Sequence, residues 1–150
     1  ALTPAQKELL AGFTRRMPVL VLAGTWCGDC VNQCPILRRI EEASNVIEIR
    51  YLDRDEHPEL QEALKINGGA RVPVVVFLSE DFYECARYGD RVLAFYRQMA
   101  HDRLGPACPL GVVPPADDLL QAATQEWVNE FERIHLMLRL STRLREKHGD

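Results

Sequence analysis

Val19-Leu20-Val21-Leu22-Ala23-Gly24-Thr25-Trp26-Cys27-Gly28-Asp29-Cys30 sets a short continuous apolar run directly before two cysteines. Such a run, ended by a glycine, reads as a strand covered on both faces, because a half-exposed strand would alternate. From Gly28 onward Val31, Ile36, Leu37 and Ile40 recur at helical intervals, with Pro35 inside the pattern as an expected kink. Val46 to Leu52 then reads as a second strand. Strand, helix of about 15 residues, strand is a βαβ unit, which requires parallel strands and a right-handed crossover. The cysteines fall at its first strand-to-helix turn.

Upstream, Thr3-Pro4-Ala5-Gln6 opens a helix with an N-cap, a proline at the first helical position and Gln in the capping-box place. Leu9, Leu10, Phe13 and Met17 continue it at helical spacing, predicting about 13 residues. Downstream, Pro58 opens a shorter helix with Leu60, Ala63 and Leu64, closed by Asn67-Gly68-Gly69. Val72 to Leu78 is strand-like with its proline at the start, and Ser79-Glu80-Asp81 turns it into Phe82 to Tyr88 as an antiparallel hairpin. Gly89-Asp90 is expected to cap a helix whose buried face carries Val92, Phe95, Tyr96 and Met99, ended by Gly105-Pro106. Gly105 to Pro115 is rich in proline and reads as a connector holding Cys108. From Ala116 to Lys147 one long helical pattern follows, with Leu120, Ala123, Trp127, Phe131, Ile134 and Leu138 along one stripe. A straight helix of that length would span about 48 Å. It must therefore overhang, bend or meet a partner, and its apolar stretch from Ile134 to Leu144 is expected to pack within the chain or at a two-fold contact. The expected division is 1–105 for the α/β domain and 106–150 for connector and extension.

Composition limits the function classes. The 150 residues carry 18 Lys and Arg against 22 Asp and Glu, so a net charge of −4 argues against nucleic acid or anionic lipid as the main partner. No apolar run approaches the ~18 residues of a membrane span. Five cysteines are an odd number, so at least one thiol cannot pair within the chain. Three of them are crowded into Cys27-x-x-Cys30-x-x-x-Cys34, a spacing that reads as chemistry in a reduced protein, with the cytoplasm as the expected compartment.

Cys27 at a helix N-cap would face unpaired N–H groups and the positive end of the helix dipole, which favour a thiolate. The thiolate is the nucleophile of disulfide exchange. Cys30 comes close enough to bridge, since Cys27 stands outside the regular helix. Asp29 works the other way, because a carboxylate beside Cys27 repels a second negative charge.

These residues resemble the thioredoxin superfamily over roughly Val19 to Leu104. Trp26 precedes the first cysteine, Pro35 follows the second, Val72-Pro73 stands in the place of the family's cis-proline, and Gly89 matches the glycine after the hairpin. More narrowly, the Trp26-Cys27-Gly28-Asp29-Cys30 motif with Asn67-Gly68-Gly69 looks like a bacterial subfamily of thioredoxin-like proteins. The resemblance implies a three-layer α/β/α fold with a mixed central sheet, here carrying a C-terminal helical extension. It also implies that Cys27 attacks a target disulfide, that Cys30 resolves the mixed disulfide, and that the backbone of Val72 beside Pro73 holds the target. Trp26 is expected to serve the docking surface. Where many thioredoxins carry a buried carboxylate that manages the proton of the resolving thiol, this chain has Val21.

Other readings stand beside this one. Cys34 shares a helix face with Cys27 and Cys30 within about 60°, yet ligands stacked on one straight helix cannot surround a tetrahedral ion, so no metal is expected and Cys34 reads as a small core residue. Cys85 reads as packing, Cys108 as an exposed thiol, and His57 as a loop histidine at a helix start. The expected activity is thiol-disulfide exchange on a protein or small-molecule disulfide. It needs no cofactor beyond the Cys27–Cys30 redox pair, an unidentified reductant recycles it, and the chain acts as monomer or homodimer. The alternative is a non-enzymatic module of the same fold that binds a partner through its C-terminal helix.

Overall fold

A computed structural model describes residues 1–24, 27–105 and 116–150. Its centre is β1 (Met17–Ala23), which pairs in parallel with β2 (Ile47–Asp53) and antiparallel with β3 (Val74–Leu78). β4 (Glu84–Gly89) pairs antiparallel with β3, giving a mixed sheet of order β2-β1-β3-β4. Helices α1 (Pro4–Ala11), α2 (Gly28–Glu42), α3 (Pro58–Ala63), α4 (Leu93–Leu104), α5 (Leu119–Leu140) and α6 (Thr142–His148) surround it.

The two faces of the sheet follow the period of two along each strand. Met17, Val19, Val21, Val75 and Phe77 join Ile36, Leu37 and Ile40 of α2 and Trp127, Phe131 and Ile134 of α5 in one core. Leu22, Val74 and Val76 face the other way, toward Leu60, Leu64 and Ile66. The result is a three-layer α/β/α arrangement with both faces of β1 covered, as its unbroken apolar run requires. Phe77 meets Phe131 edge to face at 5.0 Å, and Tyr88 meets Trp127 in the same way at 5.1 Å, so the extension is built into the principal core.

Several boundaries differ from the sequence reading, each because another element supplies a partner. The capping box of α1 forms, with Thr3 N–H donating to Gln6 Oε1 at 2.9 Å and Gln6 N–H to Thr3 Oγ1 at 3.2 Å. The helix nevertheless runs for 8 residues, not 13, because the segment after Gly12 is taken up elsewhere. The N–H groups of Thr14 and Arg15 donate to His135 Nε2 at 3.0 and 3.3 Å, Phe13 stacks on the His135 ring at 4.2 Å, and Met17 enters β1. Asn67-Gly68 does not close α3. Instead it turns a small bridge between Ile66 and Gly69, with φ of 49° and 74° at the two central residues, the combination that a tight two-residue turn of mirror-image type needs. β4 starts at Glu84 and not at Phe82, since Ser79 N–H donates to Tyr83 O at 2.9 Å and closes the turn over Phe82.

Gly89-Asp90 does not cap α4. The N-cap is Val92, without a side-chain bond, and Glu126 of α5 accepts from Ala94 N–H at 2.8 Å in its place. Tyr96, placed on the buried face by spacing, is exposed. The long C-terminal helix is two helices. At Ser141 the backbone leaves helical geometry (ψ 118°), and its hydroxyl accepts from Leu144 N–H at 3.4 Å as the cap of α6. The bend buries Leu144 and lets Arg143 pair with Asp81, Lys147 and His148 with Glu80, and Asp150 with Arg15 and Arg139. Ile134 and Leu138 are buried within the chain, whereas Leu136, Met137 and Leu140 are exposed. Among the described residues no helix is long and apolar enough to cross a membrane.

Candidate active site

β1 ends at Ala23 and α2 begins at Gly28, so Cys27 becomes the N-cap of α2 with extended backbone (φ −84°, ψ 124°) and no side-chain capping bond. Its N–H donates to Gly24 O at 3.1 Å, which closes the turn. The sulfur is half-buried, and its thiol donates to the backbone oxygen of Val72 at 3.6 Å. Val72 is held there by the start of β3, and the Val72–Pro73 peptide bond is cis. Trp26 and Cys108 lie outside the described residues.

Cys30 sits one turn deeper, 5% exposed, and its sulfur accepts from Gly24 N–H at 3.4 Å. Its thiol is pushed well above the ordinary cysteine value, first by its hydrogen bond to Cys34 and then by burial, with the Gly24 N–H pulling the other way. Cys34 accepts that bond and is held below its ordinary value by it, against the effect of burial. It is half-buried and, with Cys30, lines a cavity of about 790 Å3. Among the described residues Cys27, Cys30, Cys34 and Cys85 are free thiols, and no group of three or more His, Cys, Asp or Glu could hold a metal ion. Val21 is fully buried in the principal core, so the position of the family's buried carboxylate is apolar.

Asp29, on the first turn of α2, is not an isolated negative charge. Its Oδ1 accepts from Arg91 Nε at 2.8 Å, with both side chains mostly buried. The loop that presents Arg91 is organised by Asp90, whose carboxylate is 4% exposed. Burial works to raise that carboxyl, but the Tyr96 hydroxyl, the Arg91 backbone N–H and Arg71 together hold it below its ordinary value. Arg71 lies 3.2 Å from Asp90 and directly precedes Val72, the residue that Cys27 touches. Gln33, fully buried on α2, ties this loop to the rest: Nε2 donates to Asp90 O at 2.7 Å, while Oε1 accepts from Val92 N–H at 3.3 Å and from Trp127 Nε1 at 3.1 Å.

The structure therefore brings Cys27, Asp29, Val72 and Pro73 together at the start of α2, with Cys30 behind them. Sequence reading missed Gln33, Arg71, Asp90, Arg91 and Tyr96. For Gln33 a signal was present, an amide on the apolar face between Cys30 and Leu37. Arg71 and Arg91 flank the two marker positions Pro73 and Gly89, but nothing in the local pattern says that they converge.

A family model described as Thioredoxin matches residues 1–102. Among solved structures, a protein of unknown function from Pseudomonas aeruginosa is similar with 22% identity over 89% of this chain and 76% of that one, at a TM-score of 0.64. An HIV epitope-scaffold matches with 22% identity over 88% of this chain and 75% of that one, at a TM-score of 0.61. The germline-specific thioredoxin Deadhead from Drosophila melanogaster matches with 22% identity over 59% of this chain and 82% of that one, at a TM-score of 0.44. A comparison with curated proteins finds no match.

Proposed function

The chain belongs to the thioredoxin family, and on that premise we propose that it is a thiol-disulfide oxidoreductase with Cys27 as nucleophile and Cys30 as resolving thiol. The observation that carries the reading is the pairing of a half-exposed sulfur at the N-cap of α2 with a buried, protonated thiol one turn behind it. Cys27 thiolate attacks one sulfur of the target, forms a mixed disulfide and expels the other sulfur as a thiolate. Cys30 then gives up its proton and attacks the Cys27 sulfur, releasing the second thiolate and leaving a Cys27–Cys30 disulfide. Two electrons pass from the dithiol to the target, and an external thiol reductant restores the pair. Cys34, which accepts from Cys30, takes that proton when its own sulfur is a thiolate. Val72 beside Pro73 offers backbone to the target, and Trp26 belongs to the docking surface.

No cofactor or metal enters this scheme. The targets are protein or small-molecule disulfides, the compartment is the reducing cytoplasm of a bacterium, and the chain works as monomer or homodimer. The alternative of a partner-binding module loses most of its surface, because the apolar stripe of α5 from Ala123 to Leu138 is covered by the chain's own core, and Leu120, which the spacing places on that stripe, is exposed with Leu136, Met137 and Leu140. Reduction of insulin disulfides tests the reading: Cys27→Ser should abolish turnover, and Cys30→Ser should accumulate a mixed disulfide on Cys27. Equal turnover by Cys27→Ser and the parent protein would sink it.

A further inference from the structure

Beside Cys27 lies a groove of about 520 Å3, a size that holds a small ligand. Its charged lining is four arginines, Arg54, Arg71, Arg91 and Arg103, against two carboxylates, Asp29 and Asp90. Both carboxylates are already engaged, Asp29 by Arg91 and Asp90 by Arg71 and Tyr96. Arg54 donates to Ala70 O and has exposed Asp55 at 3.7 Å, while Arg103 enters no ion pair among the described residues. Residues 25–26 and 106–115 contain no charged side chain, so the sequence supplies no further carboxylate from those segments. On a chain of net charge −4, the nucleophilic sulfur thus opens onto a locally cationic wall. Neutral or cationic disulfides gain nothing from such a wall, and a low-dielectric cleft lined by one sign concentrates the opposite one.

We propose that this groove selects small disulfides carrying carboxylate groups as the substrates of Cys27. The inference rests on the oxidoreductase reading and adds its substrate class. One carboxylate of the substrate pairs with the guanidinium of Arg103 or Arg71 while the adjacent sulfur is presented to Cys27. Attack forms the Cys27–substrate disulfide and expels the other half as its thiolate, and Cys30 completes the two-electron transfer as above.

The test uses the reduced full-length protein and three disulfides of matched size: 3,3′-dithiodipropionate (a dianion), bis(2-hydroxyethyl) disulfide (neutral) and cystamine (a dication). Stopped-flow oxidation rates are each divided by the rate of dithiothreitol with the same disulfide, which removes intrinsic leaving-group differences. At low salt the normalised rates should fall from dianion to neutral to dication by about tenfold end to end, and added salt should compress that range. Arg103→Gln, at an exposed position, should cut the dianion-to-dication ratio by about threefold, whereas Lys7→Gln on α1 should leave it unchanged. Equal normalised rates for the three disulfides, or an unaltered ratio in Arg103→Gln, would overturn the inference while leaving the oxidoreductase reading intact. Failure of all three disulfides to oxidise the Cys27–Cys30 pair would overturn both.

Discussion

Replacing Gln33 by Leu keeps the volume of a fully buried side chain and removes every hydrogen bond it makes. Three groups lose their partner: the Asp90 carbonyl at 2.7 Å, the Val92 N–H at 3.3 Å and the Trp127 indole N–H at 3.1 Å. Val92 and Trp127 are fully buried, so water does not reach them without rearrangement. A buried polar group left unpaired costs about 1 to 3 kcal/mol, and three neighbours that relax together should cost about 3 to 6 kcal/mol in sum. Against a total stability of about 5 to 15 kcal/mol that is a large share. Urea unfolding measures it as a fall in the midpoint at unchanged slope. Trp127→Phe removes only one donor, leaves the Val92 bond to Gln33 in place, and should cost less. The double variant should be less destabilised than the two single effects added, because both remove the same indole–amide bond. A Gln33→Leu protein within about 1 kcal/mol of the parent, with additive behaviour in the cycle, would refute the claim that this amide joins the start of α2 to α4 and α5.

Limited alkylation at neutral pH followed by peptide mapping should modify Cys27 before Cys30 or Cys85, since the hydrogen bond to Cys34 and then burial push the Cys30 thiol up and burial pushes the Cys85 thiol up; labelling of Cys85 first would contradict the site assignment. Asp29→Asn frees Arg91 from its 2.8 Å partner beside Cys27, so the rate of Cys27 alkylation by iodoacetate relative to iodoacetamide should rise about two- to threefold, and an unchanged ratio means that the Arg91 charge is not felt at the sulfur. His135 accepts from two backbone N–H groups and is held below its ordinary value of 6.5 by burial first and by Arg139 and Arg15 next. The unfolded chain therefore binds its proton more readily, so this contribution is fully present above about pH 6.5 and is lost as pH falls below it. The urea midpoint should drop from pH 7.5 to pH 5.5 in the parent, and the drop should shrink in His135→Gln. Gly89→Ala would place a Cβ 2.6 Å from Pro73 O and 3.1 Å from Ile66 Cδ1, a clash with backbone that should cost about 3 kcal/mol by the same unfolding assay, and a stability equal to the parent would show that the β3 start can yield.

What could be read from the sequence is what local pattern determines. The apolar run of β1, the helical spacing of α2 and the Val72–Leu78 strand each carry a period that only one kind of element satisfies, and the βαβ logic then sets Cys27 at the N-cap. The errors fall where a partner distant in sequence supplies what local chemistry left open. Phe13 and Met17 extend the helical spacing of α1 on paper, yet His135, more than a hundred residues away, offers the N–H groups of Thr14 and Arg15 an acceptor that ends the helix early. Ser141 inside a long apolar pattern reads as one more helical residue. The Ser141 cap, the burial of Leu144 and the ion pairs of α6 together make the bend favourable there.

The site divides along the same line. Cys27, Cys30, Val72 and Pro73 are legible because turn geometry and the resemblance fix them, and Asp29 is legible as a residue but not as a charge. Taken alone, its carboxylate repels a thiolate. With Arg91 at 2.8 Å that repulsion is largely offset, and what Cys27 meets instead is a groove whose four arginines outnumber its two paired acids. Arg91 reaches Asp29 only because Gln33 holds the Asp90 and Val92 backbone, and Gln33 is held in turn by Trp127 of the extension. The electrostatics around Cys27 therefore depend on α5, so a change buried at Trp127 should alter the charge preference of Cys27 as well as the stability of the fold.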